Sequence, residues 1–259
     1  MLLAVDVGNT EIVLGVFSGA SLEHTWRVST RADRTADELA LMFEGFLRQR
    51  ELSFGSQVTG VIVASVVPDV TQALREMAHR YLPMPPVIVG PGTKTGVPIL
   101  TDNPREVGAD RVVNSLAAFE RFGGPAIVVD FGTATNFDVV SSKGEFLGGV
   151  IAPGIQAGAA SLFSRTARLT RVELVTPPSV VGKSTVEAMQ SGLIFGTAAE
   201  VDGMVERIRG VVGPAVTVAT GGLAPIVLPH CRTIDHYEPW LTLEGLRLVF
   251  DKNVVAPDE

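Results

Sequence analysis

Short apolar runs separated by glycine-bearing turns set the rhythm of the chain. Leu2–Val5 and Ile12–Phe17 bracket Gly8-Asn9-Thr10, which predicts a strand, a tight turn and a returning strand, with Leu22–Val28 as a third. The period then changes. Over Thr35–Arg50 the residues Leu39, Met42, Phe43, Phe46 and Leu47 fall on one helical face, with Thr35 placed to cap and Glu38 three residues on. Val58–Val67 reads as a buried strand, Pro68–Tyr81 as a helix with Val70, Leu74 and Met77 inward, and Val87–Val89 as a further strand. Gly90–Asn103 is a loop rich in Gly, Pro and Thr, and a helix follows that ends near Gly123-Gly124-Pro125.

The pattern then starts again. Ala126–Val129 reads as a strand, Asp130-Phe131-Gly132-Thr133 as a glycine turn, and Asn136–Val140 and Phe146–Ile151 as returning strands. Ser184–Val211 is a long helical stretch with Ser184 as its cap, expected to break or kink around Gly192 and Gly196. Ala215–Ala219 is a strand ending in Thr220-Gly221-Gly222, Thr233–Asp235 a short strand, and Leu241–Phe250 a final helix capped by Thr242. Val5-Asp6-Val7-Gly8-Asn9-Thr10 aligns with Val129-Asp130-Phe131-Gly132-Thr133-Ala134. Self-similarity at about 120 residues points to a duplicated α/β domain rather than a solenoid.

Composition narrows the function classes. With 259 residues, 46% apolar and 19% charged, the chain is globular. A formal net charge of −7 without a basic stripe speaks against a nucleic-acid partner. The N-terminus reaches Asp6 too early for a signal peptide, and no apolar run approaches the roughly 18–20 residues of a membrane span. A cytoplasmic protein is the expectation. One cysteine and four scattered histidines offer neither an internal disulfide nor a zinc cage.

The two Asp-x-Gly turns are the leading chemical candidates. A turn glycine lets backbone N–H groups approach phosphate oxygens, and Asn9, Thr10, Thr133 and Thr135 add polar side chains. An acceptor-only carboxylate such as Asp6 or Asp130 suits a nearby cation. Each turn alone also reads as an ordinary hairpin, but one in each half fits a nucleotide clamped between two halves. Thr220-Gly221-Gly222 would serve as a third wall or simply end a strand. Gly108-Ala109-Asp110-Arg111 opens a helix: Asp110 is either a general base for an acceptor hydroxyl or an acid favoured by the helix dipole, and Arg111 suits a carboxylate. Val181-Gly182-Lys183-Ser184-Thr185 has the tail of a P-loop without its first glycine, so it is not one.

These segments in order, with Asn103–Arg111, Leu147–Gly154, Ala188–Gly192, Ala219–Ala224 and Leu241–Leu246, resemble the type III pantothenate kinases nearly to Asn253. The resemblance implies an α/β, duplicated actin-like ATPase fold, ribonuclease H-like in each half, with residues 1–122 and 123–259 around a central cleft. It implies phosphorylation of pantothenate to 4′-phosphopantothenate by Mg-ATP, the first step of coenzyme A biosynthesis, in a cytoplasmic homodimer. ATP would meet Asp6, Val7, Gly8, Asn9, Thr10, Glu11, Ile12, Val13 and Thr133. Pantothenate would meet Gly108, Ala109, Asp110, Arg111 and Thr185, with Asp110 as proton acceptor. Asp130 would hold a monovalent cation, K⁺ or NH₄⁺. Asn136 stands where the family often has Thr, and an amide can replace that hydroxyl. Two alternatives stay open, a sugar kinase of the same fold and a non-catalytic regulator. The tail from Val254 to Glu259 is expected to be disordered.

Overall fold

The structure, a computed structural model, describes residues 1–165 and 171–254; the expectation about the tail therefore lies largely outside them. The chain divides into two compact units. One comprises Met1–Val97, Asp102–Ala117 and the stretch from Thr242 on; the other comprises Pro98–Thr101 and Ala118–Leu241.

The first unit is built on β1 (Leu2–Val7), β2 (Glu11–Ser18), β3 (Ser21–Ser29), β4 (Gly60–Ser65) and β5 (Val87–Ile88), in the order β3-β2-β1-β4-β5. β1 runs antiparallel to β2 and parallel to β4. Helices α1 (Ala36–Arg48) and α2 (Pro68–Tyr81) cover one face. Leu3, Val5, Val7, Ile12, Leu14 and Val16 pack there against Leu39, Phe43 and Leu47 of α1 and Val70, Leu74 and Met77 of α2. Helix α1 begins where the capping box places it: Thr35 and Glu38 satisfy each other's backbone amides. Helix α3 (Ala109–Phe122) enters this unit, and α7 (Leu241–Asn253) packs on it. Glycines make that packing possible. A methyl on Gly15 would stand 2.7 Å from Leu243, on Gly60 2.3 Å from the Phe250 ring, and on Gly245 2.1 Å from the Val113 carbonyl.

The second unit repeats the plan. Its strands are β6 (Ala126–Phe131), β7 (Ala134–Val140), β8 (Phe146–Pro153), β9 (Val216–Thr220) and β10 (His236–Tyr237), in the order β10-β9-β6-β7-β8. Matching β6 to β1, β7 to β2, β8 to β3, β9 to β4 and β10 to β5 reproduces both neighbours and directions, since β6 is antiparallel to β7 and parallel to β9. Helices α4 (Ile155–Arg165), α5 (Thr185–Val212) and the short α6 (Ala224–Val227) complete it. Leu193, Ile194, Ala198, Val201 and Val205 of α5 close over Ile127, Val129, Phe131 and Phe137.

Three expectations are corrected, and one helix is added. Helix α5 runs unbroken for 28 residues through Gly192 and Gly196. Each glycine costs about 1 kcal/mol of helix propensity, less than the buried side chains around them return. Residues 155–165, which show no clear periodicity, form α4. The edge strand lies at His236–Tyr237, not Thr233–Asp235. Thr233 is drawn instead to Asp202, whose Oδ1 accepts from its N at 3.0 Å and its Oγ1 at 2.9 Å. Helix α7 starts at Leu241, so Thr242 lies within its first turn rather than capping it.

Candidate active site

At the end of β1 the chain leaves the sheet at Gly8, whose N–H donates to the Glu11 carbonyl at 3.0 Å. Asn9 and Thr10 are exposed at the tip, and Asp6 is half-buried opposite Val13. Val7 and Ile12 bury their side chains in the core and pair their backbones within the sheet, so they shape the turn rather than present a side chain to a ligand. Glu11, an awkward neighbour for phosphate, sits 3.5 Å from Arg27 across the β2–β3 pair. Thr30, the residue after β3, braces the turn: its Oγ1 donates to the Gly8 carbonyl at 2.7 Å and its N to the Thr10 carbonyl at 2.8 Å.

The second turn has the same construction. Gly132 N donates to the Ala134 carbonyl at 3.0 Å, Thr133 is exposed, and Asp130 is half-buried at the end of β6. Thr135, expected to line the turn, is only 2% exposed within β7, so its hydroxyl faces the interior. The Gly221 of the third glycine segment comes directly against this turn. Its φ is +95°, and a methyl there would lie 2.6 Å from both Asp130 Oδ1 and the Phe131 carbonyl. Only a bare Cα lets a carboxylate and a carbonyl oxygen share that niche. Hard oxygens of this kind are the donors a K⁺-like ion takes, so the residues present fit a monovalent cation.

Asp110 lies in the first turn of α3. A methyl on Gly108 would stand 2.4 Å from its Oδ1, so the glycine makes room for the carboxylate. Oδ1 is buried and has no hydrogen-bond partner. Burial pushes the carboxyl above the usual carboxylate range; the Arg111 amide, the Arg111 charge and its own amide draw it back only in part. A capping acid has both oxygens engaged with water or backbone N–H groups. An orphaned, desolvated oxygen is instead what a proton acceptor needs while it waits for a hydroxyl.

Thr185, the first residue of α5, is exposed. Ser184 caps the helix by accepting from Glu187 N at 3.2 Å, and the Glu187 carboxylate accepts from Lys183 N at 2.7 Å. Gly182 lets this segment lie on the helix, since a methyl would meet Ala188 N at 2.4 Å. Cys231 is no nucleophile: burial, then the charge of Asp202, push its thiol up to about 12.

The first unit thus carries Asp6–Val13 and Gly108–Arg111, and the second carries Asp130–Thr133 and Thr185. In the sequence Thr30 stands outside every motif, and Gly154 appears only as the end of the Leu147–Gly154 segment. Nothing local marks Thr30; a glycine closing an edge strand was the one available signal for Gly154.

The type III pantothenate kinase family profile matches residues 2–207. The type III pantothenate kinase of Acidothermus cellulolyticus is 57% identical over 256 residues, covering 98% of this chain and 99% of that one. Among solved structures, a Campylobacter jejuni protein described as a Baf family transcriptional activator superposes with a TM-score of 0.62 at 17% identity, over 97% of this chain and 98% of that one. A ROK family glucokinase from Streptomyces griseus, in complex with glucose and AMPPNP, gives 0.53 at 12% identity, over 95% and 97%. At such identities the superpositions show the fold alone, the duplicated actin-like α/β fold.

Proposed function

Since the chain belongs to the type III pantothenate kinase family, we propose that Asp110 is the general base of its reaction, the ATP-dependent phosphorylation of pantothenate in coenzyme A biosynthesis. The observation that carries this reading is the buried, unpartnered Oδ1 of Asp110 at the start of α3. Asp110 takes the proton of the pantothenate hydroxyl as that oxygen attacks the γ-phosphorus of ATP in line, and ADP leaves. Gly108, Ala109 and Arg111 hold pantothenate around Asp110, with the Arg111 guanidinium matched to its carboxylate, and Thr185 adds a hydroxyl.

The segment Asp6–Val13, through its turn at Asn9 and Thr10, and Thr133 hold the phosphates of metal-bound ATP. Asp130 and the Phe131 carbonyl would hold a K⁺ or NH₄⁺ ion, which supplies positive charge near the phosphoryl oxygens when bound. Positioning and electrostatics carry most of the acceleration in such transfers. The enzyme acts in the cytoplasm as a homodimer on this reading; light scattering at micromolar concentration tests the dimer.

The deciding experiment is ADP release from Mg-ATP, with and without pantothenate, in K⁺ and then in Na⁺ alone. Release that needs pantothenate and K⁺ supports both substrate and cation. Release with a sugar in place of pantothenate would defeat the substrate assignment, and equal rates in Na⁺ would defeat the cation at Asp130.

A further inference from the structure

In each unit a third strand leads back to the glycine turn, and the first residue beyond that strand touches the turn's carbonyls. After β3 this residue is Thr30, which donates to Gly8 O at 2.7 Å through its hydroxyl and to Thr10 O at 2.8 Å through its N–H. After β8 it is Gly154. A methyl on Gly154 would stand 2.4 Å from Thr133 O and 2.8 Å from Gly132 O, closer than a Cβ can approach. The chemistry differs, with hydrogen bonds in one half and a bare Cα in close contact in the other. The target is the same: the carbonyl of the turn glycine and that of a hydroxyl residue after it.

A peptide unit is planar, so fixing a carbonyl also fixes the N–H on its far side. The N–H groups beyond Gly8, Thr10, Gly132 and Thr133 belong to the turn and its exit. The position after the third strand therefore sets where the donors of each turn point.

We propose that Thr30 and Gly154 are equivalent positioning residues that orient the two turns toward the phosphates of ATP. This rests on the reading of those turns as nucleotide-binding. It requires neither residue to touch the nucleotide.

The test is steady-state kinetics with both substrates varied. Thr30→Val keeps the shape and the N–H bond but drops the hydroxyl bond. It is expected to raise the KM for ATP roughly five- to tenfold, the worth of one hydrogen bond. The KM for pantothenate should stay within about twofold, and Thr30→Ser should restore the ATP value. Gly154→Ala should raise the KM for ATP about tenfold or more by displacing Thr133, with little added by Thr133→Ala in the double variant. Gly158→Ala, one turn along α4 with nothing within 4 Å of its new methyl, should leave both constants unchanged.

A selective rise in the ATP KM with Thr30→Val and Gly154→Ala supports the bracing. An unchanged ATP KM in both, or an equal rise in both KM values, overturns it. Thr133→Ala alone then reports on the underlying reading, which stands if that variant weakens ATP and falls if it does not. Should Gly154→Ala not fold, Thr30→Val and its serine rescue decide the matter.

Discussion

Asp110→Asn changes one oxygen for an amide nitrogen at nearly constant shape, so it separates chemistry from architecture. If Asp110 is the base, turnover should fall about 10²- to 10⁴-fold, or roughly 3–5 kcal/mol of barrier. Stability should move the other way. Oδ1 is buried without a partner, and burial holds the carboxyl above its ordinary value of 3.8. Because the folded pKa is the higher one, ionisation works against folding. That cost is absent below 3.8 and complete once pH passes the folded value. Asparagine carries no charge to desolvate, so the variant should gain about 1 kcal/mol or more at pH 7, and about 2–4 °C in Tm. The gain should shrink as pH approaches 3.8. The same residue predicts an acid limb of kcat/KM above the usual carboxylate range. Calorimetry and single-turnover ADP release on one preparation measure both effects. Turnover within tenfold of the parent would refute the base. Lost turnover accompanied by a lower Tm would refute the argument from an orphaned oxygen, because the carboxylate would then be contributing structure.

The other expectations concern separate parts of the molecule. Asp130→Ala should abolish stimulation by K⁺ while leaving residual activity in Na⁺; an unchanged K⁺ response counts against Asp130 as the cation ligand. Asp202→Ala should cost about 3 kcal/mol or more, because it strands the buried Thr233 hydroxyl and the backbone amides of Arg232 and Thr233. The Arg232 side chain is 81% exposed and adds little. Burial pushes the Asp202 carboxyl up, but the Arg232 and Thr233 hydrogen bonds outweigh it and the net shift is downward. Its contribution is therefore present above 3.8 and lost as pH falls through the lower folded value, which urea titrations at pH 7 and pH 3 would register. Gly245→Ala should cost about 1–3 kcal/mol by forcing α7 off the Val113 carbonyl, whereas Gly210→Ala, with open space at its Cβ, should be neutral or slightly stabilising. Equal Tm values for those two glycine variants would contradict the close crossing.

Local chemistry made much of this fold readable. The β1–β2 and β6–β7 hairpins announce themselves through apolar runs around Gly8 and Gly132, and α1 through Thr35 and Glu38, because each signal lies within a few residues of the element it specifies. The errors arise where a distant partner decides. Gly192 and Gly196 lower propensity locally, yet α5 continues because Leu193, Ile194 and Ala198 are buried against the sheet. Thr233 has strand-like chemistry but is held by Asp202, 31 residues earlier in the chain. Likewise Asp110 reads from sequence as either cap or base, and the burial of Oδ1 is the observation that favours proposing the base.

The duplication also shows why its two aspartates need not share a role. In the parallel pairs Asp6 lies opposite Ala64 and Asp130 opposite Thr220, so Ser65 in the first unit stands where Gly221 stands in the second. Beside Asp130 that position is a bare Cα at positive φ, and a carboxylate and a carbonyl oxygen converge on it. Beside Asp6 it carries a side chain whose hydroxyl is engaged with Thr71 at 2.7 Å and the Val67 carbonyl at 3.2 Å. The turns differ as well: four residues separate the paired Val7 and Ile12, and three separate Phe131 and Thr135. The two hairpins thus share a topology and differ at the position next to the residue paired with each acid. The oxygen niche that suits a monovalent cation lies beside Asp130, and the equivalent backbone position in the first unit carries a serine. That asymmetry supports the proposed assignment of the cation to Asp130 and of Asp6 to the metal-bound nucleotide.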